Sequence, residues 1–105
     1  MIHAEFLRGD NGLLGFCVSG HAGYADYGED IVCAAVTSAI QLTANGITEV
    51  VNAPCELRAE QNEIMLKLSD DSNKIAVDFL SALEIHLSVI AESYPDNLCL
   101  EFSEV

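Results

Sequence analysis

Basic residues are scarce in this sequence. Four Lys and Arg stand against 17 Asp and Glu, which gives a formal net charge of −13. A surface this acidic repels phosphate backbones and anionic lipid headgroups, so binding to nucleic acid or membranes through a basic patch is disfavoured. The charge favours a cationic partner, or it only keeps a small protein soluble, and on composition alone the two interpretations have equal weight.

Other features are missing as well. The first residues contain no basic segment followed by an apolar run, as a secretory leader would, and no stretch reaches the roughly 18–20 apolar residues of a membrane span. We therefore expect a cytoplasmic protein. The four cysteines, at 17, 33, 55 and 99, include no Cys-x-x-Cys pair, which disfavours structural zinc. In a reducing compartment each is by default a small core residue.

The chain of 105 residues, half of them hydrophobic, has neither a linker nor a repeat, so we expect one domain over residues 1–105. Alternating apolar residues predict strands at 2–7 and 13–19, joined by a turn at 9–12. They predict a second hairpin at 55–60 and 63–69, and a last strand at 98–103. In the second strand one face is expected to carry Leu14, Phe16 and Val18.

Two segments have helical periodicity. The first is predicted to begin after Asp30 as the N-cap and to end near Val51, with Gly46 as a point of close packing; its apolar positions are Val32, Val36, Ala39, Ile40, Thr43, Ile47, Val50 and Val51. The second follows residues 70–73, and its expected buried positions are Ile75, Phe79, Leu80, Leu83, Leu87 and Ile90. The order ββαββαβ predicts an α+β two-layer sandwich, with two helices on one face of a mostly antiparallel sheet.

The segment between the first hairpin and the first helix carries the candidate chemistry. It is a glycine-containing loop with Gly20, Gly23 and Gly28, which lets His21 fold back toward Cys33. Cys33 is expected in the first helical turn, where backbone N–H groups and the helix dipole stabilise a thiolate. A Cys–His pair is the minimum for an activated sulfur nucleophile.

Several roles stay open at this level. Asp30 caps the helix, orients His21, or does both, and Asp26 is the competing orienter. First-turn amides are candidate oxyanion donors. Thr37 either donates a hydrogen bond to the sulfur or bonds back to the carbonyl of Cys33.

Two further alternatives concern the whole site. Tyr24 and Tyr27 either line a pocket for an extended peptide or only pack the loop. The Cys–His pair itself competes with plain core packing. It also competes with a metal site, to which His86, expected on the apolar face of the second helix, would add a third ligand.

The motif in this loop is specific enough to suggest a family. The run Gly20-His21-Ala22-Gly23-Tyr24-Ala25, then Gly28, then Asp30-Ile31-Val32-Cys33-Ala34-Ala35-Val36 closely resembles the signature of Prp, the bacterial ribosomal-processing cysteine protease family. The chain length, the order of elements and Asn45-Gly46 also resemble the family.

The resemblance implies a cysteine endopeptidase that removes an N-terminal extension from large-subunit ribosomal protein number twenty-seven, with neither cofactor nor metal. It implies Cys33 as nucleophile, His21 as general base and Asp30 as the supporting acid. Thr37 stands where some members have Ser, and Gly20, Gly23 and Gly28 match a loop that moves on substrate binding. It also implies a homodimer. The competing hypothesis is a non-catalytic acidic module that binds a basic ribosomal protein or an assembly factor.

Overall fold

The computed structural model describes residues 1–21, 23, 25–26 and 30–104. The elements in chain order are β1 (Ile2–Gly9), β2 (Gly12–Gly20), α1 (Ile31–Asn45), a π-helical turn (Gly46–Val50), β3 (Cys55–Glu60), β4 (Glu63–Leu68), α2 (Lys74–Ser93) and β5 (Leu98–Glu104). The predicted order ββαββαβ is confirmed, because the π-helical turn only extends α1.

The five strands form one mixed sheet in the order β3-β4-β2-β1-β5. Three of the four neighbouring pairs are antiparallel, and β5 lies parallel to β1. Successive side chains point to opposite faces of a strand. In β1 the even-numbered residues Ile2, Ala4 and Phe6 are buried and join one hydrophobic core with the helices. The predicted two-layer α+β sandwich is therefore confirmed.

One expected face is wrong near the start of β2. Leu13, rather than Leu14, is buried with Phe16 and Val18. The reason is a bulge in the first hairpin: Leu7 pairs with Gly15 but Arg8 pairs with Leu13, so Leu14 is the extra residue. An extra residue in one strand shifts the alternation by one position.

The first helix extends as far as expected, but its last turn is π-helical. The N–H of Val51 donates to the carbonyl of Gly46, five residues back, at 2.9 Å. The wider turn rotates Val50 out of the buried stripe, so it is 76% exposed and its predicted burial is wrong. The predicted close packing at Gly46 is confirmed, because a Cβ there would lie 2.6 Å from a ring carbon of Phe79.

The segment Ile31–Val50 has the length and the mean hydropathy, 1.4, that a membrane span requires. This differs from the expectation that no stretch qualifies. Its buried residues, among them Val32, Val36, Ile40 and Ile47, pack in the core shared with the sheet. The segment is accounted for as the core helix of this fold.

In α2 the buried stripe is rotated from its predicted position. The buried residues are Ala76, Val77, Leu80, Leu83 and Leu87. Ile75 is 61% exposed and His86 is exposed, so both expectations for these residues are wrong. Each helical residue turns the direction of the side chain by about 100°, so burial of Ala76 and Val77 displaces the stripe away from Ile75 and His86.

Candidate active site

Asp30 begins α1 as its N-cap, as predicted. Its backbone is extended, and its Oδ1 accepts hydrogen bonds from the N–H groups of Val32 at 3.0 Å and of Cys33 at 2.9 Å. The carbonyl of Asp30 accepts the first helical bond, from Ala34. Cys33 therefore lies in the first turn of α1. The amides of Val32 and Cys33, which the sequence offered as candidate oxyanion donors, both donate to the Asp30 carboxylate in this structure.

The end of β2 places His21. The Gly20 N–H donates to the carbonyl of Asn62 at 3.0 Å, which ties this end to the β3–β4 turn. Gly20 has a φ of +93°, and a Cβ there would lie 2.4 Å from the Met1 carbonyl oxygen. Only glycine combines that conformation with that close approach. The exposed His21 follows directly, so its position depends on a tightly held strand end.

His21 and Cys33 line one open groove of about 950 Å³ between the sheet and α1. The predicted site residues that line it are Gly20, His21, Gly23, Asp30, Cys33 and Thr37. Asp26 is exposed and lies outside this set. The predictions for Tyr24, Tyr27 and Gly28 concern residues outside the described part of the chain. Apart from Asp26, the described loop and helix residues that the sequence analysis grouped together thus line one cavity.

Each of two groove residues also bears on an alternative interpretation. Cys33 is half-buried and packs against the core, yet it also lines the groove, so its packing does not exclude a chemical role. Thr37 is exposed, and within residues 30–104 the structure shows no hydrogen bond from its hydroxyl to the carbonyl of Cys33. Thr43, further along α1, does bond back in this way, to the carbonyl of Ala39 four residues earlier. The Thr37 hydroxyl is therefore available to the groove.

The structure adds groove residues that the sequence reading missed. One set lies across the groove on β3, β4 and their turn: Ala59, Glu60, Asn62, Glu63 and Ile64. The pairing of β2 with β4 brings them there, and no local pattern signals that pairing. A second set, Ala34, Ser38 and Gln41, lies on α1. Helical spacing of three and four residues from Thr37 would have identified Ala34 and Gln41, and Ser38 is the next residue after Thr37.

The other residue proposed for a metal site does not reach the groove. His86 is exposed on α2 and is not among the described residues that line this cavity. The rotation of the α2 stripe away from its predicted position explains this. The metal alternative built on His21, Cys33 and His86 therefore lacks its third ligand.

Comparison of the chain with known proteins shows the family to which it belongs. The sequence model of the family described as cysteine protease Prp matches residues 1–99. The chain belongs to the Prp cysteine protease family. The match includes the whole groove and all the described site residues, so a cysteine protease activity, already expected from the motif, is confirmed.

Named Prp relatives agree with this assignment. The chain is 29% identical to the ribosomal processing cysteine protease Prp of Bacillus subtilis over 105 residues, 93% of this chain and 94% of that protein. It is 34% identical to that of Mycoplasma genitalium over 85 residues, 77% of this chain and 80% of that protein. A crystal structure of Prp from S. aureus with a covalently linked product peptide has a TM-score of 0.93 at 24% identity, covering 98% of this chain and all of that one.

The remaining cysteines lie elsewhere in the Prp fold. Burial raises the pKa of the Cys17 thiol, with further contributions from the Glu63 and Glu5 charges, and burial also raises the pKa of the Cys55 thiol. Both effects favour the protonated, weakly nucleophilic form. Neither residue lines the groove with a histidine. Cys99 lies on β5 and is likewise not among the described residues that line the groove, so of the four cysteines Cys33 is the one that shares the groove with His21.

Proposed function

We propose that Cys33 is the nucleophile and His21 the general base of an endopeptidase that removes the N-terminal extension of large-subunit ribosomal protein number twenty-seven. The observation that carries this proposal is the shared groove, which His21 and Cys33 line together while Cys33 occupies the capped first turn of α1. The proposal places the enzyme in the cytoplasm, where it meets its substrate before ribosome assembly.

The chemistry needs only side chains of this chain and water. A ring nitrogen of His21 accepts the thiol proton of Cys33, and the sulfur attacks the scissile carbonyl carbon. The carbon–nitrogen bond breaks as the imidazolium gives its proton to the leaving amine, which leaves a thioester on Cys33. Water then adds to the thioester with His21 as base. The carbon–sulfur bond breaks, the new carboxylate leaves, and the thiol regains its proton.

The groove suits an extended peptide. Apolar side chains of Ile2, Val18, Val36, Ile40 and Ile64 contribute to its walls. The S. aureus Prp structure with a covalently linked product peptide supports peptide binding by this fold. Apolar walls complement the hydrophobic, aromatic-containing cleavage motif that resemblance to the family implies.

The rim of the groove is acidic. Asp30 lies on one side, and Glu60 and Glu63 lie on the other. Ribosomal proteins are basic because they bind RNA, so such a substrate would be attracted to this rim. The net charge of −13 would reinforce this attraction and repel the RNA itself. The acidity of the chain thereby acquires a candidate role in substrate capture.

The decisive experiment uses a peptide that spans the extension and the first residues of the mature ribosomal protein. The parent protein is expected to cut it once, and Cys33→Ala is expected to abolish cleavage. Cys17→Ala is the matched control because Cys17 is also a half-buried cysteine but does not line the groove. His21→Ala should lower the rate at saturating peptide.

Three outcomes would contradict the proposal. Cleavage that survives in Cys33→Ala would remove the assigned nucleophile. Equal losses in Cys33→Ala and Cys17→Ala would indicate an effect on folding rather than on chemistry. Tight, salt-sensitive binding without cleavage by the parent or by Cys33→Ala would favour the acidic binding module.

We also propose that the enzyme is a homodimer that uses its helical layer. Several large apolar side chains are exposed on the helices, among them Leu42, Ile85 and Val89. Burial of such side chains between two copies would release about 25 cal/mol per Å² of apolar surface. Analytical ultracentrifugation is expected to show a dimer that Ile85→Asp weakens. A monomeric parent protein would contradict this proposal.

A further inference from the structure

The sheet face opposite the helices carries a second cluster of reactive side chains. His3 on β1 and Cys99 on β5 are paired neighbours in the parallel ladder, and Glu101 follows two residues later on the same face. The Cys99 Sγ lies 3.1 Å from the His3 Nδ1 and 3.9 Å from the Glu101 Oε1. The His3 Nδ1 lies 3.5 Å from the same carboxylate oxygen.

The three donor atoms converge on one point rather than forming a relay. A catalytic triad uses one imidazole nitrogen for the thiol and the other for the acid. Here Nδ1 of His3 faces both the sulfur of Cys99 and the carboxylate of Glu101. That arrangement does not suit a second nucleophile, but it does suit three ligands around a shared cation.

The separations match those of a tetrahedral zinc site. With bonds of about 2.3 Å to sulfur and about 2.0–2.1 Å to nitrogen and oxygen, tetrahedral angles place the ligand atoms about 3.3–3.6 Å apart. The observed separations of 3.1, 3.5 and 3.9 Å lie within a few tenths of an ångström of that range. The side chains of His3 and Glu101 are 54% and 60% exposed, so an ion and a completing water have access.

The electrostatics of this face also favour a cation. Glu5 lies two residues from His3 on β1 and pairs with Glu101 on β5. Glu5 and Glu101 thus place two carboxylates side by side on this face, which gives it a negative potential. Such a potential attracts divalent cations.

We propose that His3, Cys99 and Glu101 bind Zn²⁺ and that the ion joins β1 to β5. Binding replaces the thiol proton of Cys99, because the thiolate is the ligand. The ligands come from opposite ends of the chain, and a clip that closes so long a loop removes much entropy from the unfolded state. The bound ion would hold the edge strand β5 in place.

The test is a Zn²⁺ titration of the full chain carrying Cys33→Ala, which removes the thiol of the groove. One ion should bind per chain. His3→Gln, Cys99→Ser and Glu101→Gln should each weaken binding at least about tenfold, because even partners outside the ligand shell contribute 10–100-fold. Cys17→Ser is the matched control on the same face and should bind like the parent. Co²⁺ should show a thiolate charge-transfer band that Cys99→Ser abolishes.

A second readout guards against a folding defect in the variants. Zn²⁺ should raise the denaturation midpoint of the Cys33→Ala chain and leave that of the Cys99→Ser chain unchanged. The proposal is overturned if no ion binds, if binding survives all three ligand substitutions, or if Cys17→Ser weakens binding as much as Cys99→Ser does.

Discussion

Replacement of Asp30 separates two roles that one carboxylate can have at the start of α1. Its Oδ1 accepts the N–H groups of Val32 and Cys33 at 3.0 and 2.9 Å, which is the capping role. It also lines the groove with His21, where it would act as the supporting acid. Asparagine keeps a capping oxygen but removes the charge, whereas alanine removes both.

The expected magnitudes differ between the two variants. Loss of an N-cap costs about 1 kcal/mol, and loss of a charge at a helix N-terminus costs about 0.3–1 kcal/mol. Asp30→Ala should therefore lower the free energy of unfolding by about 1.5 kcal/mol, and Asp30→Asn by about 0.5 kcal/mol. For a domain of this size these losses correspond to decreases in Tm of about 6–12 °C and about 2–4 °C.

Activity should follow a different order from stability. If the carboxylate supports His21, both variants should lose at least about tenfold in kcat, or about 1.4 kcal/mol of transition-state stabilisation. Thermal denaturation and peptide cleavage at a temperature where both variants are folded measure the two effects separately. Asp26→Asn is the matched control for the competing orienter. Full activity of Asp30→Asn would refute the supporting role, and a loss confined to Asp26→Asn would transfer that role to Asp26.

Three further predictions concern reactivity, packing and charge. Iodoacetamide at neutral pH should label Cys33 before Cys17 and Cys55, because burial raises the pKa of the latter two thiols and keeps them protonated; equal rates measured by peptide mass spectrometry would contradict an activated Cys33. Gly46→Ala should destabilise the protein by about 1 kcal/mol in urea, because overpacking of about 1–3 kcal/mol outweighs a helix-propensity gain of about 1 kcal/mol. The Cβ would lie 2.6 Å from the Phe79 ring, so a stabilised variant would show that the ring moves aside freely. Cleavage of the basic substrate should slow as ionic strength rises, because salt screens the attraction between opposite charges. A cleavage rate independent of salt would indicate that the net charge serves only solubility.

Patterns of neighbouring residues correctly predicted the strands, the helix cap and the order of elements, because these features depend on residues close together in the chain. The alternation of β1, the cap at Asp30 and the close packing at Gly46 all appear in the structure. The hairpin turns and the order of elements follow from neighbouring residues too. In α2 the predicted stripe was itself misplaced, so Ile75 and His86 are exposed. The other errors occurred where one residue changes the phase of a pattern: the bulge at Leu14 and the π-helical turn that exposes Val50. A periodicity argument assumes an uninterrupted period, so it cannot anticipate either irregularity.

The linear order of residues by itself predicted the candidate pair, His21 and Cys33, and the structure places both on one groove. The motif over residues 20–36 predicted the family, which comparison with known proteins confirms, and through that resemblance it implied Cys33 as nucleophile and His21 as general base. That was possible because the groups lie within one short segment, where helix capping and loop geometry are local.

The rest depended on contacts between segments far apart in the chain. Pairing of β2 with β4 brings Glu60 and Glu63 to the groove, and parallel pairing of β1 with β5 brings Cys99 to His3. Strand alternation says which face a side chain occupies but not which strand lies beside it. Which strands pair with each other depends on how the whole core is buried. The acidic rim and the proposed zinc site therefore exist only once the sheet has formed.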